Sequence, residues 1–297
     1  MSGVNGTSRA SREREGGHRQ ATSLGTLHHD TYFERMRSSI GDKAQVLDHL
    51  APGTVLDVGA GDGSLVRVMR EHGWAATGID ASAAAGARSG GLVGLGYAEE
   101  LSAHYPAGSF DNVVFCSSLH EIWSYGDRWA TWNQALGQAA DLLAPGGRLV
   151  VRDGVGPAEP EASWQLTLND PSDGFAFLDR WRGMAEELLG PVRIDRLDDA
   201  LAGPAWQMAE FLFTYVWGWD SLPREGAEFY TVAGSHAGCS AAIRRATGLS
   251  PRFSRAYLQP GYRQHLDRLG RLHLHPDARP VPWPNSNAIW VFQKSRP

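Results

Sequence analysis

Val55-Leu56-Asp57-Val58-Gly59-Ala60-Gly61-Asp62-Gly63-Ser64-Leu65 is the stretch that decides the fold. An apolar run passes through a glycine-rich turn into an amphipathic segment, a pattern in which the backbone approaches a nucleotide closely. The glycines fall as Gly59-x-Gly61-x-Gly63 with Ser64 next. A nicotinamide dinucleotide turn instead wants G-x-G-x-x-G, its third glycine packing helix on strand and its helix N-terminus facing a pyrophosphate. Asp57 stands two residues before the first glycine, at the end of the strand. A carboxylate there repels a pyrophosphate and attracts a cation, which suits a ligand carrying an ammonium and a sulfonium. Asp80, after Thr77-Gly78-Ile79, is placed to accept hydrogen bonds from two ribose hydroxyls, a feature dinucleotide folds share.

Outward from this turn, strand and helix patterns alternate. Thr54 to Val58 is predicted as a continuous buried strand. Ser64 to Glu71 is predicted as a helix with Leu65, Val68 and Met69 inward and Gly73 closing it. Ala75 to Ile79, Ser82 to Arg88 and Leu92 to Leu95 repeat the unit, and such alternation predicts a parallel, doubly wound sheet. Between Asp127 and Leu143 the series Trp129, Trp132, Leu136, Ala139, Leu143 marks a long helix lying on that sheet.

Together these features resemble the class I S-adenosylmethionine-dependent methyltransferases, over roughly residues 53 to 153. The likeness rests on Asp57-x-Gly59-x-Gly61, on Asp80, on Ala98-Glu99-Glu100-Leu101, on Phe110-Asp111-Asn112-Val113-Val114 and on Leu143-Ala144-Pro145-Gly146-Gly147-Arg148-Leu149. It implies a mostly parallel seven-stranded Rossmann-like α/β sheet with S-adenosylmethionine as cofactor. Cofactor contacts are expected from Asp57, Gly59, Ala60, Gly61, Asp80, Ala81, Ala98, Glu99, Cys116 and Ser117. Many relatives carry an Asp just before that Ala, holding the adenine amino group; here the residue is Tyr97. The resemblance also implies a leading helix over the cofactor, from which Tyr32 and Arg37 could reach its methionine end, but packing and surface roles are the preferred reading for both.

Residues 1–25 mix Ser, Gly, Arg and Glu without apolar periodicity and read as a mobile tail; residues 26–155 read as the cofactor-binding core. After Asp153 the texture changes. Pro157, Pro160 and Pro171 suggest a linker, then Phe177, Leu178, Trp181, Met184 and Leu188 give a helix capped at Ser172 or Asp173. Pro204 to Trp219 reads as a helix apolar nearly all round its C-terminal half. Such a helix is buried, lines a pocket or packs on a second copy of the chain, which would make a homodimer. Residues 156–250 are therefore expected to be a helical, aromatic-rich lid inserted between strands five and six. Residues 251–297 should supply the closing antiparallel pair, near Phe253 to Leu258 and Ala288 to Gln293.

Composition narrows the function classes. At 297 residues and 42% hydrophobic the chain buries a full core with material to spare beyond a minimal nucleotide-binding sheet. A formal net charge of -5 gives no global attraction to phosphate backbones and argues against a nucleic-acid partner. Two cysteines are too few for a disulfide framework or a thiolate zinc site and fit a reducing cytoplasm. No long apolar run suggests a membrane span. The expectation is a cytoplasmic enzyme that methylates O or N of a small molecule, as in secondary metabolism. An RNA or protein methyltransferase, or a non-catalytic cofactor-binding or dimerising relative, are the alternatives.

Cys116-Ser117-Ser118-Leu119-His120-Glu121-Ile122-Trp123 leaves the fourth strand beside the place a transferred methyl must occupy. His120 is either a general base near neutral pH or a loop histidine bonded to backbone. Glu121 is the stronger catalytic candidate, because an acid in an apolar, aromatic run needs a partner. Asp153 is expected to cap a helix or bond a linker, with substrate contact the second reading. His236 is a candidate substrate contact. His273, His275 and Asp277 have a spacing that reaches one side of an extended segment, but a surface loop is the simpler reading, and no metal is expected.

Overall fold

The computed structural model describes residues 39–296. The expected tail, Tyr32 and Arg37 lie outside them. Strand β1 (Thr54–Val58) is central because its side chains alternate between two apolar layers. Val55 joins Val66, Met69, Val114 and Val150 on one face, while Leu56 and Val58 join Phe115, Val151 and Trp290 on the other. Being buried on both faces, it pairs in parallel with both β2 (Ala75–Asp80) and β4 (Phe110–Cys116), in register Val55 with Ala76 and with Asn112. With β3 (Val93–Leu95) and β5 (Leu143–Gly154) these strands form the parallel part of a seven-stranded sheet.

Helices α1 (Ile40–Lys43), α2 (Ser64–Glu71), α3 (Ala83–Arg88), α4 (Leu101–His104), α5 (Leu119–Tyr125) and α6 (Arg128–Leu142) punctuate these strands. In α2 it is Val66, with Leu65 and Met69, that is buried, while Val68 is only half-buried, so the inward stripe is turned by part of a helical step from the expected one. In α6 Trp132, Leu136 and Ala139 are buried as expected, whereas Trp129 is 43% exposed at the first turn, its ring edge-on to those of Trp123 and Trp132.

The chain then leaves the sheet. Strands β6 (Ser163–Leu168), β7 (Asp195–Arg196) and β8 (Ala200–Pro204) form an antiparallel layer of their own. Helices α7 (Pro171–Leu189) and α8 (Ala205–Tyr215) pack their aromatic faces against it. Asp170, not Ser172 or Asp173, caps α7, accepting from the Asp173 N–H at 3.2 Å with Pro171 in the first turn. The short α9 (Leu222–Glu225) and α10 (His236–Thr247) follow, and β9 (Ser250–Tyr257) returns to the main sheet.

After β9, α11 (Tyr262–Leu269) and β10 (Gly270–Leu274) cross back, β10 pairing with β6, before β11 (Asn287–Gln293) closes the main sheet between β5 and β9. The sheet orders are β3-β2-β1-β4-β5-β11-β9 and β10-β6-β8-β7, and β11 runs antiparallel to both its neighbours. The helices expected in 156–250 are present. The second layer is not purely helical, however, and it takes one strand from beyond β9 (Gly270–Leu274). Met208, Phe211, Leu212 and Phe213 of α8 are all at most 2% exposed, so the apolar face behind the homodimer expectation is consumed within the chain. Among the described residues no helix is long and apolar enough to cross a membrane.

Candidate active site

The strand order reverses between β1 and β4, and ligands of open α/β sheets bind beyond the carboxyl ends of the strands at that point. Gly59 and Gly61 take φ of 75° and 54° there. A Cβ on Gly59 would lie 2.5 Å from the Cβ of Ser118, whereas nothing lies within 4 Å of the corresponding position on Gly61. The turn is therefore closed against the protein on one side and open toward a ligand on the other. Asp80 fixes it: Oδ2 accepts the Gly61 N–H and Oδ1 the Ser82 N–H, each at 2.8 Å. Burial raises the Asp80 carboxyl above its ordinary value despite these bonds.

Asp57 shares the face of Val55 and is 2% exposed, and among the described residues its Oδ1 has no hydrogen-bond partner. Burial pushes its carboxyl up to about 7, the nearby Lys43 ammonium opposing and Asp80 adding to the rise. A buried carboxylate oxygen without a donor suits a cationic or hydrogen-bond-donating ligand group. The pocket it opens into is also lined by Gly59, Ala60, Gly61, Asp80, Cys116 and Ser117. The acidic end of this pocket and its open glycine turn fit a ligand with a cationic amino-acid end and a ribose.

Three other expected cofactor residues lie outside that lining. Ala81 is exposed beyond β2, Ala98 packs against the sheet core, and the Glu99 carbonyl takes the side-chain amides of Gln134 and Gln138 from α6.

Beyond β4 the chain turns sharply at Ser117, φ 59°, into α5. The turn is pinned to both neighbouring strands. Ser118 Oγ donates to the Val58 carbonyl at 2.7 Å, the Ser117 N–H donates to the Arg152 carbonyl at 2.7 Å, and Arg152 Nη1 donates to Ser117 Oγ at 2.5 Å. Arg152 itself is held by Asp42 of α1 and by Tyr257 Oη at 3.0 Å. Asp153 caps the start of α5, Oδ2 accepting the N–H groups of Leu119 at 2.8 Å and His120 at 3.2 Å. The capping role expected of Asp153 is the one it plays.

Behind α5 lies a second chamber that shares Lys43, Ser117 and Glu121 with the first pocket. His120 is buried there with both ring nitrogens engaged, Nδ1 at 2.6 Å from Asp153 Oδ1 and Nε2 at 3.5 Å from Glu228 Oε2. Burial alone would lower its pKa, but the Asp153 and Glu228 carboxylates hold it well above the ordinary value, so the ring is an imidazolium. Asp153 is correspondingly held below its ordinary value, the His120 charge overcoming burial. Glu121 lies 3.3 Å from Arg224 Nη2; burial and then the Glu228 carboxylate raise its pKa against that cation. One ligand atom from each of His120, Glu121 and Glu228 falls within 4.8 Å of the others, but both His120 nitrogens are engaged, so the ring offers no lone pair to a metal and the cluster stands as two carboxylates beside an imidazolium.

Several chamber residues carried no sequence signal that singled them out. Glu225 ends α9 and Glu228 follows it in Pro223-Arg224-Glu225-Gly226-Ala227-Glu228-Phe229-Tyr230, a stretch that matches none of the motifs read from the sequence. The logic that marks Glu121, an acid beside aromatic residues, marks Glu228 as well. His236 does not line the chamber; its ring stacks on Trp290 at 5.6 Å. His273 lies in β10 and His275 bonds Gln165 at 3.0 Å.

A family described as a methyltransferase domain matches residues 32–197, more than half of the chain. The chain belongs to that family, within the class I S-adenosylmethionine-dependent methyltransferase superfamily. It is an enzyme, and the methyltransferase uses S-adenosylmethionine as cofactor. Among the solved structures that share its fold are two that cover almost the whole chain. One is the Burkholderia thailandensis 1,6-didemethyltoxoflavin-N1-methyltransferase with bound 1,6-didemethyltoxoflavin and S-adenosylhomocysteine, at 14% identity, covering 99% of this chain and 93% of that one, with a TM-score of 0.51. The other is a chain of the Haloferax volcanii complex between the Trm112 methyltransferase activator and a methyltransferase, at 13% identity, covering 93% and 97%, also with a TM-score of 0.51. No curated protein sequence matches this methyltransferase.

Proposed function

We propose that the methyltransferase transfers the methyl group of S-adenosylmethionine to O or N of a small molecule held in the second chamber. The observation that carries this reading is the shared wall. Lys43, Ser117 and Glu121 border both the Asp57 pocket and the chamber, so a methyl presented from the first meets an acceptor in the second. S-adenosylmethionine supplies a methyl on a sulfonium, a good leaving group, for an in-line displacement.

The chain's own residues bind, orient and exclude water. Asp57 takes the cationic end, Asp80 the ribose, and the glycine turn lets the backbone approach. Phe213 and Trp217 from the second layer roof the acceptor and keep water out, and holding the partners in line supplies much of the rate. Glu121 stands at the junction with a raised pKa, which suits a base taking a proton from the acceptor near neutral pH. His120, an imidazolium with both nitrogens occupied, orients Glu228 and caps the network in place of acting as a base. The aromatic roof over the chamber and the absence of a global positive charge favour a small acceptor over a nucleic acid.

Calorimetric titration with S-adenosylhomocysteine, followed by mass spectrometry of candidate acceptors for the gain of one methyl, tests the reading. Methylation confined to macromolecular acceptors would overturn it.

A further inference from the structure

Among the described residues, the acids around the second chamber outnumber the cations set against them. Arg152 is matched by Asp42, and Asp153 by His120. Arg224 is divided between Glu121 at 3.3 Å and Glu228 at 3.5 Å. Among the described residues Glu225 forms no ion pair; the Tyr230 hydroxyl donates to it, as the Tyr125 hydroxyl donates to Glu228 at 2.9 Å. Lys43, at the shared wall, faces the Asp57 carboxylate as well as Glu121, and burial lowers its pKa. Glu225 and Glu228 are 5% and 4% exposed, so water solvates neither carboxyl well.

Around these acids the walls are aromatic. Trp217, Phe213 and Tyr262 line the chamber with Tyr230, whose ring already lies 5.0 Å from that of the His120 imidazolium. Trp217, Gln259 and Tyr262 continue into an outer groove that also holds Tyr215 and the half-exposed Trp219, which gives a route inward past aromatic faces. Acids backed by aromatic rings attract a cation twice, through charge and through the ring quadrupoles.

On the reading that this chamber holds the acceptor, we propose that the acceptor is an aromatic-bearing amine that enters as its ammonium, sits among Glu121, Glu225 and Glu228 beside Trp217 and Tyr230, and is methylated on that nitrogen. The ammonium gives one proton to the Glu121 carboxylate, which frees the nitrogen lone pair. That pair forms the N–C bond as the C–S bond breaks, its electrons staying on sulfur as a thioether. The product keeps its remaining protons and leaves as the N-methylammonium, and Glu121 returns its proton to solvent. The raised pKa of Glu225, caused by burial and then by Glu228, adds that an arriving ammonium displaces a proton there.

The test uses the full chain saturated with S-adenosylhomocysteine and three probes of one shape: benzylamine, benzyl alcohol and benzoate. Benzylamine should bind about tenfold or more tightly than either of the others. Glu225→Gln should remove most of that preference while leaving S-adenosylhomocysteine affinity unchanged, which also reports that the variant is folded. If it does not fold, the comparison of probes on the unaltered chain stands by itself. Equal binding of the three, tighter binding of benzoate or alcohol, or no probe binding overturns the amine assignment. So does a preference that vanishes when EDTA removes divalent ions, since the acids then serve an inorganic cation. Failure to bind S-adenosylhomocysteine is a different result, and it removes the underlying assignment of the two pockets.

Discussion

His120 Nδ1 lies 2.6 Å from Asp153 Oδ1, and the second oxygen of the same carboxylate accepts the backbone N–H groups that open α5. One buried carboxylate thus fixes both the helix carrying Glu121 and the imidazolium beside it. Asp153→Ala removes the cap and leaves the buried imidazolium with Glu228 alone, so it should destabilise the fold by about 3–5 kcal/mol. The His120 pKa is raised, so its contribution is present below its ordinary value of 6.5 and is lost as pH rises through the folded-state value. The Asp153 pKa is lowered, so its contribution is present above its ordinary 3.8 and is lost as pH falls through the folded-state value. Urea unfolding of the two proteins should therefore differ most between about pH 4 and pH 6.5, and a gap independent of pH would show that the pair is not ionised.

Asp57 gives a proton-linked signature. In the free methyltransferase its carboxyl is pushed up to about 7 by burial, and a cationic ligand favours its ionised form. S-adenosylmethionine affinity should rise with pH by up to about tenfold per unit below pH 7 and then level off, with a proton released on binding. Calorimetry in buffers of different ionisation enthalpy measures the release. Asp57→Asn should abolish it and flatten the affinity; persistence of the same proton release in this variant would assign it to another group.

Asp80 has two duties, since its carboxylate holds the Gly61 and Ser82 N–H groups at 2.8 Å while facing the ribose side of the pocket. Asp80→Ala should weaken S-adenosylhomocysteine binding by about 1.5–3 kcal/mol. The same substitution should lower the melting temperature, because the glycine turn loses its anchor. Undiminished affinity in a folded variant would exclude ribose recognition by this residue.

The main sheet was legible because its information is local. Asp57-x-Gly59-x-Gly61 needs only neighbouring residues to specify a strand, a turn and a helix. The second sheet was harder. Ser163-Trp164-Gln165-Leu166-Thr167-Leu168 does alternate, with Trp164, Leu166 and Leu168 buried, but the flanking prolines favoured a linker and its partner β10 lies far along the chain. The chamber was legible only on its α5 side. Glu225 and Glu228 acquire their meaning from tertiary contact with Tyr230, Tyr125 and His120, and no periodicity encodes that.

Trp217 lines the chamber and the outer groove but not the Asp57 pocket. Trp217→Ala should therefore raise the KM for the acceptor by about 1–3 kcal/mol of lost binding while leaving S-adenosylmethionine affinity within about twofold. Phe213, at 2% exposure, is a core residue as well, so Phe213→Ala should lose stability along with acceptor use. Equal losses of cofactor and acceptor affinity in Trp217→Ala would assign the ring to the fold and not to the acceptor.

Glu121 and His120 are adjacent on α5, and the structure gives them different company. His120 has carboxylates on both nitrogens and a raised pKa, so it has no lone pair to accept a proton near neutrality. Glu121 has one cation at 3.3 Å, borders both pockets, and has a pKa raised by burial and by Glu228. As the proposed base it must be ionised, so the rate should climb with pH through the raised Glu121 value and level off above it. Glu121→Gln should lower turnover by about 10²–10⁴-fold and erase that rising limb, with little change in S-adenosylmethionine affinity. His120→Gln should lose activity in proportion to its lost stability and keep the rising limb. If the limb survives in Glu121→Gln, the proton goes to another group; if turnover there is near normal, the acceptor reaches the methyl already deprotonated and the methyltransferase works by positioning.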